Sequence, residues 1–221
     1  MANDTCQGAV SQRRCDFDSR GRKPIWVCAL VPYPVDTAPS QRFRIEQWQK
    51  YLGMYGITME LYPFADRELM EILYAKGSLG KKASGIVKAA FRRIELLKTI
   101  RGYDAVVLHR AACIFGPAVL EHLLRLLGRP VIFDFDDAIY FLHTTAANRY
   151  VGWLKFPGKT RTICALSSHV IAGNQYLAEY AQRFNRNVTV IPTSIDTDRY
   201  RPGTRSSRNG TVIVGWTGSS T

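Results

Sequence analysis

Six short apolar runs recur along the chain, each followed by a stretch with helical periodicity or a polar loop. The first, "IWVCALV" (Ile25 to Val31), is apolar at every position, as in a strand of a parallel sheet covered on both faces. Ile57 to Tyr62, "DAVVLHR" (Asp104 to Arg110), "RPVIFDFDD" (Arg129 to Asp137), "HVIAGN" (His169 to Asn174) and "NVTVIPTSID" (Asn187 to Asp196) supply the others. Between them the apolar spacing changes to that of a helix. Ser40 is positioned to cap a helix from near Gln41, with Ile45, Trp48 and Leu52 on one face and Gly53 to Gly56 ending it. Further helical stretches run from about Asp66 to Ile100, Gly116 to Leu127, about Asn148 to Ser168 and Gln175 to Phe184. Strand and helix alternating at this spacing predict an α/β fold: a Rossmann-like, doubly wound, mostly parallel sheet with helices on both faces.

With 221 residues there is room for one large domain, or for one domain and the start of another. Residues 1–22 have no apolar stretch and read as a disordered polar tail rather than a secretory signal. The α/β domain then occupies 23–200. Residues 201–210, "RPGTRSSRNG", read as a linker, and 211–221 begin again with an apolar strand, Val212 to Val214, and a glycine turn. The expectation is that 211–221 open a second domain.

The five cysteines, Cys6, Cys15, Cys28, Cys113 and Cys164, form no CxxC pair and no zinc-type cluster. Cys28 and Cys164 lie among apolar residues and read as core side chains, and an odd count without a framework favours a reducing cytoplasm. No apolar run approaches the roughly 18 residues of a membrane span. The net charge of +12 points to an anionic partner. Much of it lies in Lys76 to Arg101, where Lys81, Lys82, Lys88, Arg92, Arg93 and Lys98 accompany an apolar stripe of Ile86, Ala90, Phe91, Ile94, Leu97 and Ile100. That pattern suits either core packing with a solvated basic face or a helix lying on an anionic membrane. No nucleic-acid-binding motif accompanies the charge.

Ligands of an open α/β sheet lie beyond the carboxyl ends of its strands, so polar residues at those ends are the ones placed for chemistry. After the first strand there is no GxGxxG. Arg42 and Arg44 instead stand in the first helical turn, against the helix macrodipole, and read as anion contacts or as solvated surface residues. "FDFDDAIY" puts Asp134, Asp136 and Asp137 at a strand end. Asp134 and Asp136 share a face in an extended chain and need a proton, a cation or hydrogen-bond donors between them. One of them can orient a substrate hydroxyl or accept its proton, cap the next helix, or the two can hold a metal as a DxD triplet. His109 and Arg110 end the neighbouring strand, with His143 a weaker case of the same type, and no serine or cysteine nucleophile stands beside either histidine in sequence.

The ordered set "VPYPVDTAPSQRFRIEQW", "YDAVVLHR", "FDFDDAIY", "VIAGNQYLAEYA", "VIPTSIDTDRY" and "VIVGWTGSST" resembles bacterial glycosyltransferases of the GT-B fold, of the family 4 group, from about Pro24 to the C-terminus. The resemblance implies two Rossmann-like domains facing across a cleft, with the acceptor on the N-terminal one and the nucleotide sugar on the C-terminal one. It implies a hexosyltransferase-type reaction on a glycan or lipid-linked acceptor, retention of anomeric configuration, no cofactor and no metal. The implied setting is cell-envelope polysaccharide synthesis on the cytoplasmic side, peripheral to the inner membrane face.

By this resemblance Asp136 and His109 are the catalytic candidates, and Arg42, Arg44, Arg110, Asp137 and Asn174 contact substrate. Gly215, Thr217 and Gly218 begin the donor-phosphate loop. In the family the E-x7-E motif that holds the donor lies further on, in the second domain, so the 221-residue chain is expected to transfer no sugar alone. The first loop departs from the commoner glycine-containing pattern, which leaves Arg42 and Arg44 open between donor phosphate and acceptor. Two other readings stand beside this one: a metal-dependent GT-A transferase using Asp134 and Asp136, and a non-catalytic module that docks on a membrane or partner through its basic helix.

Overall fold

The computed structural model describes residues 23–74, 79–114, 116–141, 156 and 158–201. The expected tail at 1–22, most of the linker, the strand and glycine turn of 211–221, His143 and Lys76 lie outside the described residues.

Six strands form one all-parallel sheet: β1 (Ile25–Val31), β2 (Ile57–Pro63), β3 (Ala105–His109), β4 (Val131–Phe135), β5 (His169–Ala172) and β6 (Val188–Val190). Their spatial order is β2-β1-β3-β4-β5-β6, so the winding reverses between β1 and β3. This is the doubly wound arrangement that the alternation predicts, and the reversal opens a crevice at the carboxyl ends of those two strands.

Helix α1 runs through residues 39–53 as a helical start (Pro39–Gln41), a π turn (Arg42–Glu46) and a second α segment (Trp48–Gly53). The later helices are α2 (Arg67–Tyr74), α3 (Leu79–Ile100), α4 (Val119–Leu126), α5 (Lys159–Leu166) and α6 (Gln175–Gln182). Helix α1 covers one face of the sheet, where Ile45 and Leu52 pack on Val27, Ala29, Val31 and Met59. The larger core lies on the other face, where Cys28, Leu30, Val106, Leu108, Phe133 and Phe135 meet Leu120 and Leu124 of α4, Ile163 of α5 and Leu177 of α6. Strand side chains alternate between these two faces, which is why both are apolar.

Three details differ from the sequence expectations. Helix α1 begins at Pro39 rather than Gln41, after Ala38, and has no side-chain cap. Proline presets the first helical φ and has no N–H to satisfy, so the helix starts early and Ser40 is left free of the capping role. The strand expected over Arg129 to Asp137 ends at Phe135, which puts Asp136 and Asp137 in the loop beyond it. The long helical region after Asp66 is two elements, α2 and α3, packed through Leu69 and Ala89. Cys28 and Cys164 are fully buried, and burial pushes the Cys164 thiol up to about 12.

Candidate functional site

At the carboxyl edge of the sheet the register brings two polar residues side by side. His109 and Asp134 are paired positions of β3 and β4. Both point to the α1 face, since they alternate with Leu108 and Phe133, which face the larger core. A slip of one residue would push Asp134 into that core instead. The His109 Nδ1 lies 2.8 Å from Asp134 Oδ2, and both side chains are almost wholly buried. A carboxylate only accepts, so Nδ1 carries the proton.

Helix α1 supplies the partners from above. Ser40 and Arg44 are four residues apart and therefore on one side of the helix. Arg44 Nε donates to both oxygens of Asp134, at 3.1 and 3.0 Å, and Nη2 donates to Oδ1 as well. Its Nη1 donates to the Ile191 carbonyl (2.9 Å) and to Thr193 Oγ1 (3.2 Å), in the segment that leaves β6. The Ser40 hydroxyl lies 3.3 Å from His109 Nε2. Ser40, His109 and Asp134 therefore form one line of contacts, though no sequence neighbourhood connects them. The π turn falls on this stretch of α1, as such turns often do at functional sites. The loop before it is fixed by the buried Gln41, whose amide accepts from Tyr33 N (3.0 Å) and donates to Tyr33 O (2.9 Å) and to Glu46 (2.7 Å).

Nearer the solvent edge, Arg110 Nη2 reaches Asp136 Oδ1 at 3.3 Å and pairs with Asp137. Arg110 has a φ of 64°, a left-handed conformation that costs a non-glycine residue about 1 kcal/mol and aims its side chain over the loop after β4. Burial alone would lower the Arg110 guanidinium, but Asp136 and Asp137 outweigh that and raise it. Burial alone would likewise raise the Asp136 carboxyl. Arg110, a hydrogen bond with Ser40, and then His109 and Arg44 overcome it and hold that carboxyl below the ordinary carboxylate range. Gly173, after β5, closes the floor. A Cβ there would stand 2.9 Å from the Asp136 Cα, so only glycine permits this approach.

Of the residues singled out by sequence, His109, Arg110, Asp134, Asp136, Asp137 and Arg44 come together here. Arg44 is turned inward, and its donors are taken up by Asp134, Ile191 and Thr193, so the expected anion contact does not describe it. Arg42 lies outside the cluster, pairing with the Asp36 carboxylate at 2.7 Å and donating to the Asp36 carbonyl. The Asn174 side chain caps α6 by accepting from Leu177 N at 2.9 Å. Gly215, Thr217 and Gly218 are outside the described residues. Asp134, read from sequence as a possible metal ligand, has both oxygens engaged by Arg44 and His109. Among the described residues no group of three or more His, Cys, Asp or Glu side chains is arranged to hold a metal. Sequence reasoning missed Ser40 as a partner of His109 and Gln41 as the brace of the first loop. The four-residue spacing of Ser40 and Arg44 was the available signal for the first.

No protein-family model matches this chain, and no curated protein matches it. The fold and the geometry of the site therefore carry the functional argument.

Proposed function

We propose that these residues form the acceptor-side lobe of a GT-B glycosyltransferase, which positions a hydroxyl of a glycan or lipid-linked acceptor for attack on a nucleotide-activated hexose. One observation carries this reading. An ionised, partly accessible carboxylate, Asp136, sits beside a buried His109–Asp134 pair at the crevice where the sheet winding reverses. A carboxylate held in that state accepts a hydrogen bond from a sugar hydroxyl and can take its proton as the new glycosidic bond forms. Asp137 and Arg110 border the same opening and suit the remaining polar groups of a saccharide. The donor diphosphate, where negative charge develops, needs cationic or N–H groups on a facing lobe, and in this reading the polypeptide following residue 210 begins that lobe.

Saturation-transfer NMR on the 221-residue chain tests this against a panel of oligosaccharides and against UDP- and GDP-linked hexoses. Saccharide contact that Asp136→Asn weakens about tenfold or more is expected, without sugar transfer. Binding of the nucleotide sugars with no saccharide contact would overturn the assignment of this lobe to the acceptor.

The setting is proposed to be an anionic membrane surface. On α3, Val87, Phe91 and Ile94 are 53%, 63% and 45% exposed and fall on one stripe, with Lys88, Lys98 and Arg101 close by. Ile86 and Ala90, by contrast, pack inward on the α2 contact. Among the described residues no helix is long and apolar enough to cross a membrane. Flotation with phosphatidylglycerol vesicles is expected to lift the chain and to fail for Phe91→Ser with Lys88→Glu. A wild-type chain that does not float removes the membrane from the proposal, and equal flotation of both proteins removes α3 as the contact.

A further inference from the structure

We propose that Ser40 is a nucleophile, activated by His109 and oriented through Asp134, that takes an acyl group from an activated ester of the thioester or aryl-ester class. This chemistry is separate from sugar transfer and does not rest on the acceptor-lobe reading. Chain order hides it, because the three residues come from α1, β3 and β4 and meet only in the fold.

Two hydrogen bonds define the arrangement. Nδ1–H of His109 donates to Asp134 at 2.8 Å, which leaves Nε2 as the acceptor, and Ser40 Oγ lies 3.3 Å from Nε2. A hydroxyl donating to an imidazole whose other nitrogen is tied to a carboxylate is the nucleophile, base and orienter order of acyl transfer. That order is recognised by geometry and not by position in the chain. The contact of 3.3 Å is long, as such bonds often are before substrate tightens them. Each member is held in place. Arg44 grips Asp134 through Nε and Nη2, so the carboxylate cannot swing away from the ring. His109 is wholly buried, and Asp134 is its register partner on the next strand. Ser40 stands between Pro39, which presets the helical backbone, and the buried Gln41, whose amide is bonded to Tyr33 and Glu46. Ser40 itself is partly exposed, so its hydroxyl lies between the crevice and the imidazole. A nucleophile fixed in this way loses little freedom on reaction.

In the first step Ser40 Oγ attacks the acyl carbonyl and a C–O bond forms, while the hydroxyl proton passes to Nε2. The bond from the acyl carbon to the leaving sulfur or oxygen breaks, that group departs with the electron pair, and solvent takes the proton from Nε2. Water then attacks the acyl–Ser40 ester and gives a proton to Nε2. The bond to Oγ breaks, that proton restores the hydroxyl, and a carboxylic acid is released. Burial of His109 sets the substrate class. Its Nε2 lies beneath Ser40 and can take the serine proton, but a leaving group out in the crevice is poorly placed to receive it. A group that departs as a stable anion needs no proton. Thiols and phenols, which ionise near about pH 8.5 and 10, meet that condition, and amines do not.

The test treats the 221-residue chain with a fluorophosphonate probe, which forms an Oγ–P bond with loss of fluoride, and locates the adduct by mass spectrometry. Labelling is expected at Ser40, ~10²-fold or more faster in the folded chain than in urea. Ser40→Ala is expected to take up no probe, and His109→Gln to label ~10-fold or more slowly. Release of thiophenolate from phenyl thioacetate should follow the same pattern, while acetanilide stays intact. A folded chain that does not label leaves Ser40 as the hydrogen-bond partner of a buried imidazole and overturns the proposal. Equal rates with and without urea, or equal thiophenolate release by wild type and Ser40→Ala, overturn it as well. Cleavage of acetanilide overturns the substrate class. Should His109→Gln not fold, the urea comparison and Ser40→Ala decide. No sugar or nucleotide enters the experiment, so its failure leaves the acceptor-lobe reading standing, and failure of saccharide binding leaves this one standing.

Discussion

Two arginines, Arg44 and Arg93, are buried to 8% and 3% exposure at the same edge of the sheet, one on each side of the reversal point, and they are held in opposite ways. Arg44 joins α1 to β4 and to the segment after β6, and its charge meets the carboxylate of Asp134. Arg93, on α3, joins the ends of β1 and β2 to the loop after β3 by donating to the carbonyls of Val31 (3.0 Å), Tyr62 (2.7 Å) and Ala112 (3.0 Å), with the Phe64 ring 5.9 Å away. Carbonyl dipoles satisfy its N–H groups without neutralising it. Burial accordingly drags the Arg93 guanidinium down to about 10, although Cys28, Cys113 and Glu121 pull the other way. The carboxylate partner appears on the side that carries His109 and Asp136. The carbonyl-only partner appears where the edge is scaffold. A buried cation thus serves as a brace in both places, but only the paired one shares an anion with ionisable neighbours.

The comparison can be broken by substitution. Arg44→Met leaves Asp134 buried without its counter-charge and is expected to lose about 3–5 kcal/mol in urea unfolding. Adding Asp134→Asn should return part of that loss, because the stranded charge is then gone. If the second change deepens the loss, charge pairing is not what Arg44 provides.

Arg93→Met strands three neutral carbonyls and no ion, and a smaller loss of about 2–4 kcal/mol is expected. Its pH dependence has a definite sign. The folded guanidinium releases its proton near pH 10, below the ordinary value of 12.5, so the unfolded chain binds more protons in that interval. The burial cost is therefore fully present below about pH 10 and relieved above it, and the wild-type advantage over Arg93→Met should widen between pH 8 and 11. A constant difference would mean that the charge is not desolvated as the geometry implies.

The smallest effect is expected at Gly173→Ala. The new methyl meets backbone of Asp136, which must shift, at about 1–3 kcal/mol. The sharper readout is the Asp136 carboxyl resonance, which should move toward the ordinary range as its contacts loosen. An unchanged resonance would separate the floor of the site from its electrostatics.

Much of this fold was legible because apolar runs and helical periodicity are local properties. "IWVCALV" reads as a doubly covered strand before any partner is known, and β1 is that strand. The gathering of His109, Arg110, Asp136 and Asp137 was legible for a related reason: each lies at or just past the end of a strand, and parallel strands put their ends together. The roles of particular side chains were not. Asn174, expected to contact substrate, caps α6 through its side-chain oxygen, a role set by its place one residue before that helix. Arg42 and Arg44 looked alike in sequence, yet one pairs at the surface with Asp36 and the other is buried on Asp134. Both lie in one helical turn, and a spacing of two residues there puts their side chains on different sides.

The amino-acid sequence by itself determined the α/β alternation, the strand ends at which polar residues collect, and the apolar cysteines of the core. Those follow from spacing along one chain. Tertiary structure alone decided that His109 faces Asp134, that Ser40 reaches Nε2 and that Arg44 is taken inward. These contacts span 25 residues between His109 and Asp134, 69 between Ser40 and His109 and 90 between Arg44 and Asp134. The register of β3 on β4 and the rotation of α1 above them set all three, and both are products of packing two apolar faces at once, which no local pattern encodes.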